Sequence, residues 1–240
     1  MYKTPYRGAY GTEFMRMIDL IYCAGGNPRL SQIADEEGWL IGFRSDYVAP
    51  THPICFIDID YKHPDFMAHL RTVTKHKPKY AIVPDLSDKM IDQQDIDRAI
   101  KQAELLTGYC EIPLIVPKLS GQLDLIPERF AIGYSVPSRY GGADYLLWEL
   151  AGRRIHLLGG SPKKQFQAYL HLSAIAEVIS ADGNYAQRQA TKFAEYWTGK
   201  KWVEHPDYQA EEAARRKDLY FECWRWSCQN IMKGWRKLCQ

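Results

Sequence analysis

Three short apolar runs decide the fold that this sequence predicts: FAIGYSVPSRYGG at 130–142, RRIHLLGGSP at 153–162 and EVISADGN at 177–184. Each run ends in a polar or glycine-rich tip, and a segment with helical spacing separates it from the next. This alternation is typical of βα units whose strands run parallel. Because functional groups in such folds gather where the strands end, the tip residues, above all Asp182, are the first candidates for a site.

The same alternation extends along most of the chain. We predict strands at Leu20–Ala24, Leu40–Ser45, Ile54–Asp60, Tyr80–Asp85, Ile112–Lys118, Ala131–Val136, Ile155–Gly159 and Val178–Asp182. Helical patterns cover Pro64–His76, Gln93–Thr107, Leu123–Pro127, Ala143–Ala151, Lys163–Ala176 and Tyr185–Thr198. The link DYVAPTHP at 46–53 is too short and proline-rich for a helix.

Eight strands in this arrangement predict an α/β fold, a TIM-like (β/α)8 barrel with one irregular crossover. A doubly wound open sheet is the structural alternative. It receives no support from the glycines, since neither GGSPKK nor YGG has the G-x-G-x-x-G spacing of a dinucleotide-binding turn.

The end of the chain has a different pattern. From Ala210 onward, apolar residues recur every three or four positions and form one stripe of a long helix: Phe221, Trp224, Cys228, Ile231, Trp235 and Leu238. Basic residues outnumber acids there, which suits a polyanion, although a solvated helix face is the commoner explanation. We therefore predict a barrel domain at 1–205 and a basic, aromatic C-terminal helix at 206–240 that packs on it. Dimerisation, or contact with flanking nucleic acid, is the second interpretation of this helix.

Composition limits the classes of function. The chain has 240 residues, of which 46% are hydrophobic and 25% charged, and no apolar run approaches the ~20 residues of a membrane span. The N-terminal stretch lacks the apolar core of a signal peptide, so we expect a soluble cytoplasmic protein. Of the six cysteines, Cys223 and Cys228 are the only close pair, and no second pair completes a zinc set. The sequence therefore predicts neither a metal site nor a cofactor.

Acidic side chains recur at the predicted strand ends, namely Asp58, Asp60, Asp85 and Asp182. Carboxylates that converge on one face of a barrel can act as nucleophile, as general acid and base, or as acceptors for the N–H groups of a ligand. Cleavage of a glycosidic bond through an oxocarbenium-like transition state is the best-known use of such a pair. The alternative for each residue is a structural cap of a turn or helix.

The order and spacing of these tips resemble the tRNA-guanine transglycosylase superfamily over about residues 39–198. IGYSVPS resembles that family's glycine-containing loop, RRIHLLGGSP its R-Y-L-M-G-x-G-T-P motif, and ISADGNYAQRQA the segment with its nucleophilic Asp. FIDID and IVPDLSD fall where the family has its general-base and base-recognition Asp residues. FIDIDY, HKPKYAIVPD, GYSVPSRYGG and SADGN look more like the DNA-modifying branch, phage and bacterial enzymes that swap guanine in DNA for a 7-deazaguanine. Within that branch the chain resembles a compact phage subgroup, for which the cytoplasm is that of the host.

The resemblance implies a pentosyltransferase and gives each tip a role. Asp182 would attack C1′ of a target deoxyguanosine, and Asp58, or Asp60 as the alternative, would transfer the proton of the base. The implied substrate contacts are the side chains of Asp85 and Lys118, the backbone groups of Gly133, Tyr134 and Ser135, and Leu157 as a residue that stacks on the base, for which core packing is the alternative. The candidate nucleic-acid contacts are Ser138, Arg139, Lys163, Lys164, Asn184 and Arg188, each of which is alternatively an ordinary surface residue.

The chain also departs from the family. Asp58 is followed by Ile59-Asp60-Tyr61 instead of Gly-Gly-Phe-Gln, Val116-Pro117-Lys118 replaces Gln-Gly-Gly, and the zinc motif is missing, which favours DNA over tRNA. We expect an enzyme that exchanges guanine in DNA for a preQ0-like 7-deazaguanine through a covalent Asp–deoxyribose intermediate. DNA and the free base would be its partners, with a possible homodimer and no membrane contact. The alternatives are the same chemistry on tRNA, and a non-catalytic nucleic-acid-binding barrel.

Overall fold

Parallel strands form a closed barrel in the computed structural model, which describes residues 17–138, 142–208 and 217–240. The strands are β1 (Asp19–Ala24), β2 (Leu40–Arg44), β3 (Ile54–Asp58), β4 (Tyr80–Ile82), β5 (Ile112–Ile115), β6 (Ala131–Ser135), β7 (Arg154–Leu158) and β8 (Glu177–Asp182). Each strand pairs with its neighbour in sequence, and β8 pairs in parallel with β1. The predicted TIM-like barrel and all eight of its strands are therefore confirmed.

Helices cover the outside of this barrel. They are α1 (Pro28–Glu36), α2 (Phe66–His76), α3 (Gln93–Thr107), α4 (Pro162–Leu172), α5 (Tyr185–Phe193) and the C-terminal α6 (Lys217–Leu238). The connection from β2 to β3 contains no helix, as the proline-rich link predicted. Helix α1 was not among the predicted helices; it begins at Pro28, after the Asn27 side chain has accepted a hydrogen bond from the Arg29 amide.

Several predicted helices are shorter than their sequence patterns indicated, including the one predicted over Lys163–Ala176, which ends at Leu172. Only single 3-10 turns form at Leu123–Leu125 and Leu147–Leu150. The helix predicted over Tyr185–Thr198 ends at Phe193, because Ala194 adopts a left-handed backbone conformation with φ 51°. The chain then forms an antiparallel hairpin outside the barrel, β9 (Glu195–Trp197) with β10 (Trp202–Glu204), which the sequence analysis missed.

The side chains of the strands alternate between two cores. One core fills the barrel interior and includes Ile21, Phe56, Tyr80, Ile82, Leu114 and Val116. The other lies between the strands and the helices and includes Ile41, Phe43, Ile57, Ile132, Tyr134 and Leu157. Gly133 faces the interior, where a Cβ atom at its position would lie 2.8 Å from Cγ2 of Val116. The interior is thus filled so tightly that one strand carries no side chain at this level.

Helix α6 docks on the barrel through the apolar stripe that the sequence predicted. The fully buried Trp224 ring lies 4.9 Å from the ring of Tyr22, and its Nε1 donates to the Leu30 carbonyl at 2.9 Å. Trp235 packs edge-on against Phe166 and Tyr169 of α4. Among its basic residues, Arg225 is used internally, since it pairs with Glu36 at 2.5 Å and Glu37 at 2.7 Å. None of the helices within the described ranges is long and apolar enough to cross a membrane.

We expect the packing of α6 to be a major source of stability. Trp224→Ala removes a fully buried indole and should lower the free energy of unfolding by about 3–5 kcal/mol. Trp148→Ala is the matched control because its side chain is 67% exposed, and it should change that free energy by less than ~0.5 kcal/mol. Urea denaturation followed by circular dichroism measures both values. Equal losses in the two variants would contradict the importance of this contact.

Candidate active site

Three of the predicted carboxyl groups lie at the carboxyl end of the barrel. Asp58 is the last residue of β3, Asp182 is the last residue of β8, and Asp85 follows β4. Burial raises the pKa of Asp58 to about 8, and the negative charges of Asp182 and Asp85 contribute to the same shift. Asp58 therefore carries a proton at neutral pH, a state in which a carboxyl group can serve as a general acid.

The Asp182 side chain is held by β7. Its Oδ1 accepts hydrogen bonds from the Gly159 amide at 2.9 Å and from Nε2 of His156 at 3.2 Å. Gln165 of α4 donates to the carbonyls of both Gly159 and Asp182, at 2.8 and 2.7 Å, and so joins the two strand ends. Helix α5 begins after Asn184 without a side-chain cap. Asp182 therefore does not cap this helix, which was the structural alternative to a functional role. Among the described residues no hydrogen bond reaches Oδ2 of Asp182, which leaves that oxygen available to a substrate.

Lys118 joins two of the predicted substrate contacts. Its Nζ lies 2.7 Å from Oδ2 of Asp85 and 2.7 Å from Oγ of Ser135. The buried Gln122 accepts hydrogen bonds from the Lys118 and Leu119 amides and donates to the Ser87 carbonyl, which fixes the β4 and β5 tips relative to each other. Asp85 is therefore paired with a cation at the site, and the Lys118 ammonium beside it can donate hydrogen bonds to a ligand.

Asp58 and Asp60, which the sequence left as alternatives, have different surroundings. Asp60 lies beyond the end of β3, and its Oδ1 is 3.6 Å from Nη1 of Arg44. Arg44 also forms a two-point ion pair with Asp46 at 2.6 Å and lies over the Tyr47 ring. Asp60 therefore belongs to a charged cluster at the β2 tip, whereas Asp58 is electrostatically coupled to Asp182 and Asp85.

The alternation of side chains along the strands corrects the assignment of Leu157 as a stacking residue, and it turns the side chain of Tyr134, which was assigned through its backbone, away from the site. Ser135 and His156 face the barrel interior, so their neighbours Tyr134 and Leu157 face the surrounding helices. Tyr134 packs 5.9 Å from the Tyr145 ring, and Leu157 is fully buried in the outer core. Gly133 faces inward, but it packs against Val116 below the strand ends. The side chains of Tyr134 and Leu157 therefore cannot contact a substrate at this site.

The candidate nucleic-acid contacts lie around the tips of β6, β7 and β8. Lys163 and Lys164 are exposed in the first turn of α4, and Nζ of Lys164 donates to the Pro137 carbonyl at 2.8 Å. Ser138 and Asn184 are exposed, and Arg188 lies over the Tyr185 ring at 5.4 Å. Arg139 lies outside the described residues. The described cations of this group are thus on the β7–β8 side, whereas Asp46, Asp60 and Asp85 are on the β2–β4 side.

The loop between β7 and α4 depends on one glycine. Gly160 has φ 83°, and a Cβ atom there would lie 2.6 Å from Cγ1 of Val136. A side chain at this position would be strained and would collide with Val136, the residue that follows β6. The loop therefore brings the first turn of α4 close to the β6 tip, beside the residues that hold Asp182.

The sequence analysis missed polar residues inside the barrel. His156 is fully buried, stacks on the Phe56 ring at 5.1 Å, and places Nδ1 2.8 Å from Oγ of Ser180. Cys23 ends up near Asp58 and Asp182, where burial and both negative charges raise the pKa of its thiol well above the usual value. The sequence signal that could have found His156 and Ser180 is the alternation of side chains along a strand, because both residues stand on the inward face of their strands.

Within the described ranges, no group of three or more His, Cys, Asp or Glu residues is arranged to hold a metal ion.

A family model matches most of the chain. Residues 34–236 match the family described as "Family of unknown function (DUF6610)". The chain belongs to this family. The match runs from within α1 to within α6, so it includes every site residue that the sequence predicted. A search of curated proteins gave no match.

One solved structure supports the fold. A xylose isomerase domain containing protein from Salmonella typhimurium LT2 superposes with a TM-score of 0.51 at 11% identity, covering 96% of this chain and 100% of that one. The YdjI aldolase from Escherichia coli K12 matches over 92% of this chain and 91% of its own, also at 11% identity, with a TM-score of 0.39 that supports no conclusion. At this identity the likeness extends to the barrel fold alone.

The raised pKa of Asp58 predicts a specific pH dependence of stability. An Asp in the unfolded chain ionises near ~4, whereas the folded-state pKa is about 8, so between these values unfolding releases a proton. The free energy of unfolding should therefore fall with rising pH, by up to ~1.4 kcal/mol per pH unit from this group. Asp58→Asn removes this contribution, so the variant should gain stability relative to wild type from pH 4 to 8 and no further above pH 8.

Urea titrations at several pH values measure this difference. Asp88→Asn is the control, because Asp88 is an exposed acid in the loop after β4 and should give a difference that varies little with pH. A difference for Asp58→Asn that is flat across pH 4–8 would show that Asp58 is ionised in the folded protein.

Proposed function

We propose that the protein is a transglycosylase that exchanges guanine in DNA for a 7-deazaguanine base, with Asp182 as nucleophile and Asp58 as general acid and base. The observation that carries the proposal is the pairing of two coupled carboxyl groups with different environments. Asp58 holds a proton, whereas Asp182 is fixed through Oδ1, which accepts two hydrogen bonds, so that Oδ2 can act as the nucleophile. Cleavage of a glycosidic bond needs this division of roles.

The exchange proceeds in two balanced steps. In the first, Oδ2 of Asp182 forms a bond to C1′ while the C1′–N9 bond breaks, and the leaving guanine takes the proton of Asp58. In the second, the entering 7-deazaguanine gives its N9 proton to Asp58 and forms the new C1′–N9 bond, while the ester to Asp182 breaks. Asp58 and Asp182 thereby return to their initial states, so no external acid, base or cofactor is consumed.

The neighbouring ion pair supports guanine as the base. The Watson–Crick edge of guanine has an acceptor, O6, beside the donors N1–H and the 2-amino group, and a 7-deazaguanine has the same edge. Lys118 can donate to O6, and Asp85 can accept from N1–H and the amino group. Adenine presents the opposite order of donor and acceptor, so this pair disfavours it.

The distribution of charge supports a nucleotide bound in one orientation. With the base above Asp58, Asp85 and Lys118 on the β3–β5 side, the phosphates would lie toward Lys163, Lys164 and Arg188 near β7 and β8. The N-terminal end of α4 adds backbone amides on the same side. A base in duplex DNA must leave the stack to reach Asp182, at a cost of a few kcal/mol.

The decisive experiment is incubation of the protein with guanine-containing DNA and candidate 7-deazaguanine bases, followed by mass analysis of the nucleosides. Wild type should incorporate the 7-deazaguanine and should exchange labelled guanine. Asp182→Asn should abolish exchange, by ~10⁴-fold or more, because it removes the nucleophile. Asp58→Asn should reduce it by ~10²–10⁴-fold, whereas Asp60→Asn should retain most of it.

Two controls make the result interpretable. Asp88→Asn, an exposed acid in the same loop as Asp85, should exchange bases at the wild-type rate. A covalent protein–DNA adduct should form with wild type and be absent from Asp182→Asn. Full activity of the latter variant would refute the assignment. Salt-matched competition between duplex DNA and tRNA identifies the substrate, and binding of nucleic acid without any adduct would instead indicate a non-catalytic barrel.

A further inference from the structure

Three tyrosine–cation pairs lie along one side of the barrel mouth. In each pair the charged group lies over the tyrosine ring, between 4.4 and 5.7 Å from its centre: Arg44 with Tyr47, Lys62 with Tyr61, and Arg188 with Tyr185. The pairs lie at or just after the ends of β2, β3 and β8, and only β1 separates β8 from β2 in the closed barrel. Neighbouring strands are ~4.8 Å apart, so the pairs form an arc of about 14 Å, which we call the tyrosine arc.

The tyrosine arc borders the two carboxyl groups of the proposed mechanism. Arg44 and Asp58 are direct partners in the pairing of β2 with β3. Tyr61 follows Asp58 by three residues, and Tyr185 follows Asp182 by three residues. A polymer that lies along the arc therefore passes both carboxyl groups.

Two of the rings are open to a ligand and are held in place by their surroundings. Tyr47 is 49% exposed and Tyr61 is 56% exposed. Arg44 covers part of the Tyr47 ring and is itself fixed by a two-point ion pair. The Lys62 amide donates to Oδ1 of Asp60 at 3.1 Å, which fixes the turn at Tyr61. Rings that are ordered in advance lose little conformational freedom when a ligand stacks on them.

The charges around the arc favour a polyanion over an apolar partner. Lys62 is exposed, and Lys163 and Lys164 at the start of α4 add two exposed cations. Arg44 is neutralised by its acidic neighbours and serves to hold its tyrosine. Exposed aromatic rings interleaved with cations are the combination with which proteins bind single-stranded nucleic acids, since bases stack on the rings and phosphates pair with the cations. A duplex covers the faces of its bases and would leave the rings unused.

We propose that the tyrosine arc binds a single-stranded segment of DNA, whose bases stack on Tyr47 and Tyr61 while a neighbouring nucleotide reaches Asp182. The identity of the polymer as DNA rests on the proposed function, whereas the recognition of unpaired bases rests on the arc itself. At ~3.4 Å per nucleotide the arc accommodates about four nucleotides. The substrate is therefore a single strand, and its target base does not have to be extruded from a duplex.

Fluorescence anisotropy of a labelled oligothymidine tests the proposal, because this strand contains no guanine and its binding does not depend on base exchange. The protein should bind a strand of about 12 nucleotides at least ~10-fold more tightly than the matching duplex. Tyr47→Ala and Tyr61→Ala should each weaken binding by about 5- to 150-fold, which is the loss expected for one stacked base. Tyr61→Phe keeps the ring and should bind like wild type.

Matched controls come from residues away from the mouth. Tyr109 is 41% exposed but precedes β5 at the other end of the barrel, so Tyr109→Ala should bind like wild type. Lys62→Ala should reduce the slope of log affinity against log salt by ~0.7, the value for one phosphate contact on a single strand. Lys101→Ala, which replaces an exposed lysine of α3, should leave that slope unchanged.

Several results would overturn the proposal. They are equal affinity for single strand and duplex, binding by Tyr47→Ala and Tyr61→Ala that is as tight as by Tyr109→Ala, and a preference for oligouridine over oligothymidine. Sedimentation measures the oligomeric state in parallel, and a dimer that the first two variants dissociate would assign the arc to a second copy of the chain.

The outcome is separable from that of the proposed function. A protein that binds single strands through these tyrosines but fails to exchange bases would preserve this inference and reject the proposed function. Base exchange by a protein whose binding is indifferent to Tyr47 and Tyr61 would do the reverse.

Discussion

The pairing of β8 with β1 is the contact on which the site depends. Asp182 lies opposite Ile21 in this pairing, and the Gly183 amide donates to the Ile21 carbonyl at 3.2 Å just beyond it. In an open sheet, β1 and β8 would be far apart, and Asp182 would have no route to Asp58 on β3. Closure brings strands that are distant in sequence around one axis. The coupling of Asp58, Asp85 and Asp182 is a result of that geometry.

The barrel combines an apolar outer core with a partly polar interior, and the two differ in the kind of side chain that they bury. Between strands and helices, residues such as Phe43, Ile132 and Leu157 are buried without polar partners to satisfy. Inside, Phe56 stacks on His156 and covers one face of its ring, while Ser180 and Asp182 occupy its nitrogens. The outer layer is apolar throughout these positions, whereas the interior combines apolar packing with polar groups that a site can use.

The sequence was a good guide to the strands and to the acids at their ends, because both have local signals. Alternating apolar segments indicated all eight strands, and Asp58, Asp85 and Asp182 were found from their position after strands. What lies on each face was harder to predict. The register between β7 and β8 shifts at Ile155 and His156, and such an irregularity has no local signature. Leu157 was assigned to the site from its place in a motif that resembles another family, although its side chain faces outward.

Tertiary contacts explain the remaining differences. The pattern over Tyr185–Thr198 is helical in spacing, yet Glu195–Trp197 forms a strand because its backbone pairs with Trp202–Glu204 and the Trp197 amide donates to Ser227 of α6. Gln122 is a similar case, since its buried amide satisfies two loops that are separated in sequence. Side chains of this kind are recognisable only once the elements they join are in place.

The position of α6 has a consequence for how the molecule is made. This helix contacts α1, which follows the first strand, as well as α4 and α5 near the last. During synthesis the early strands leave the ribosome long before α6, the segment that packs against both the early and the late elements. The barrel therefore cannot complete this packing until the end of the chain has been made. Assembly that depends on such distant parts of the chain is slow and exposes apolar edges in the meantime. A nascent chain that stops short of Trp224 would be a natural client for chaperones.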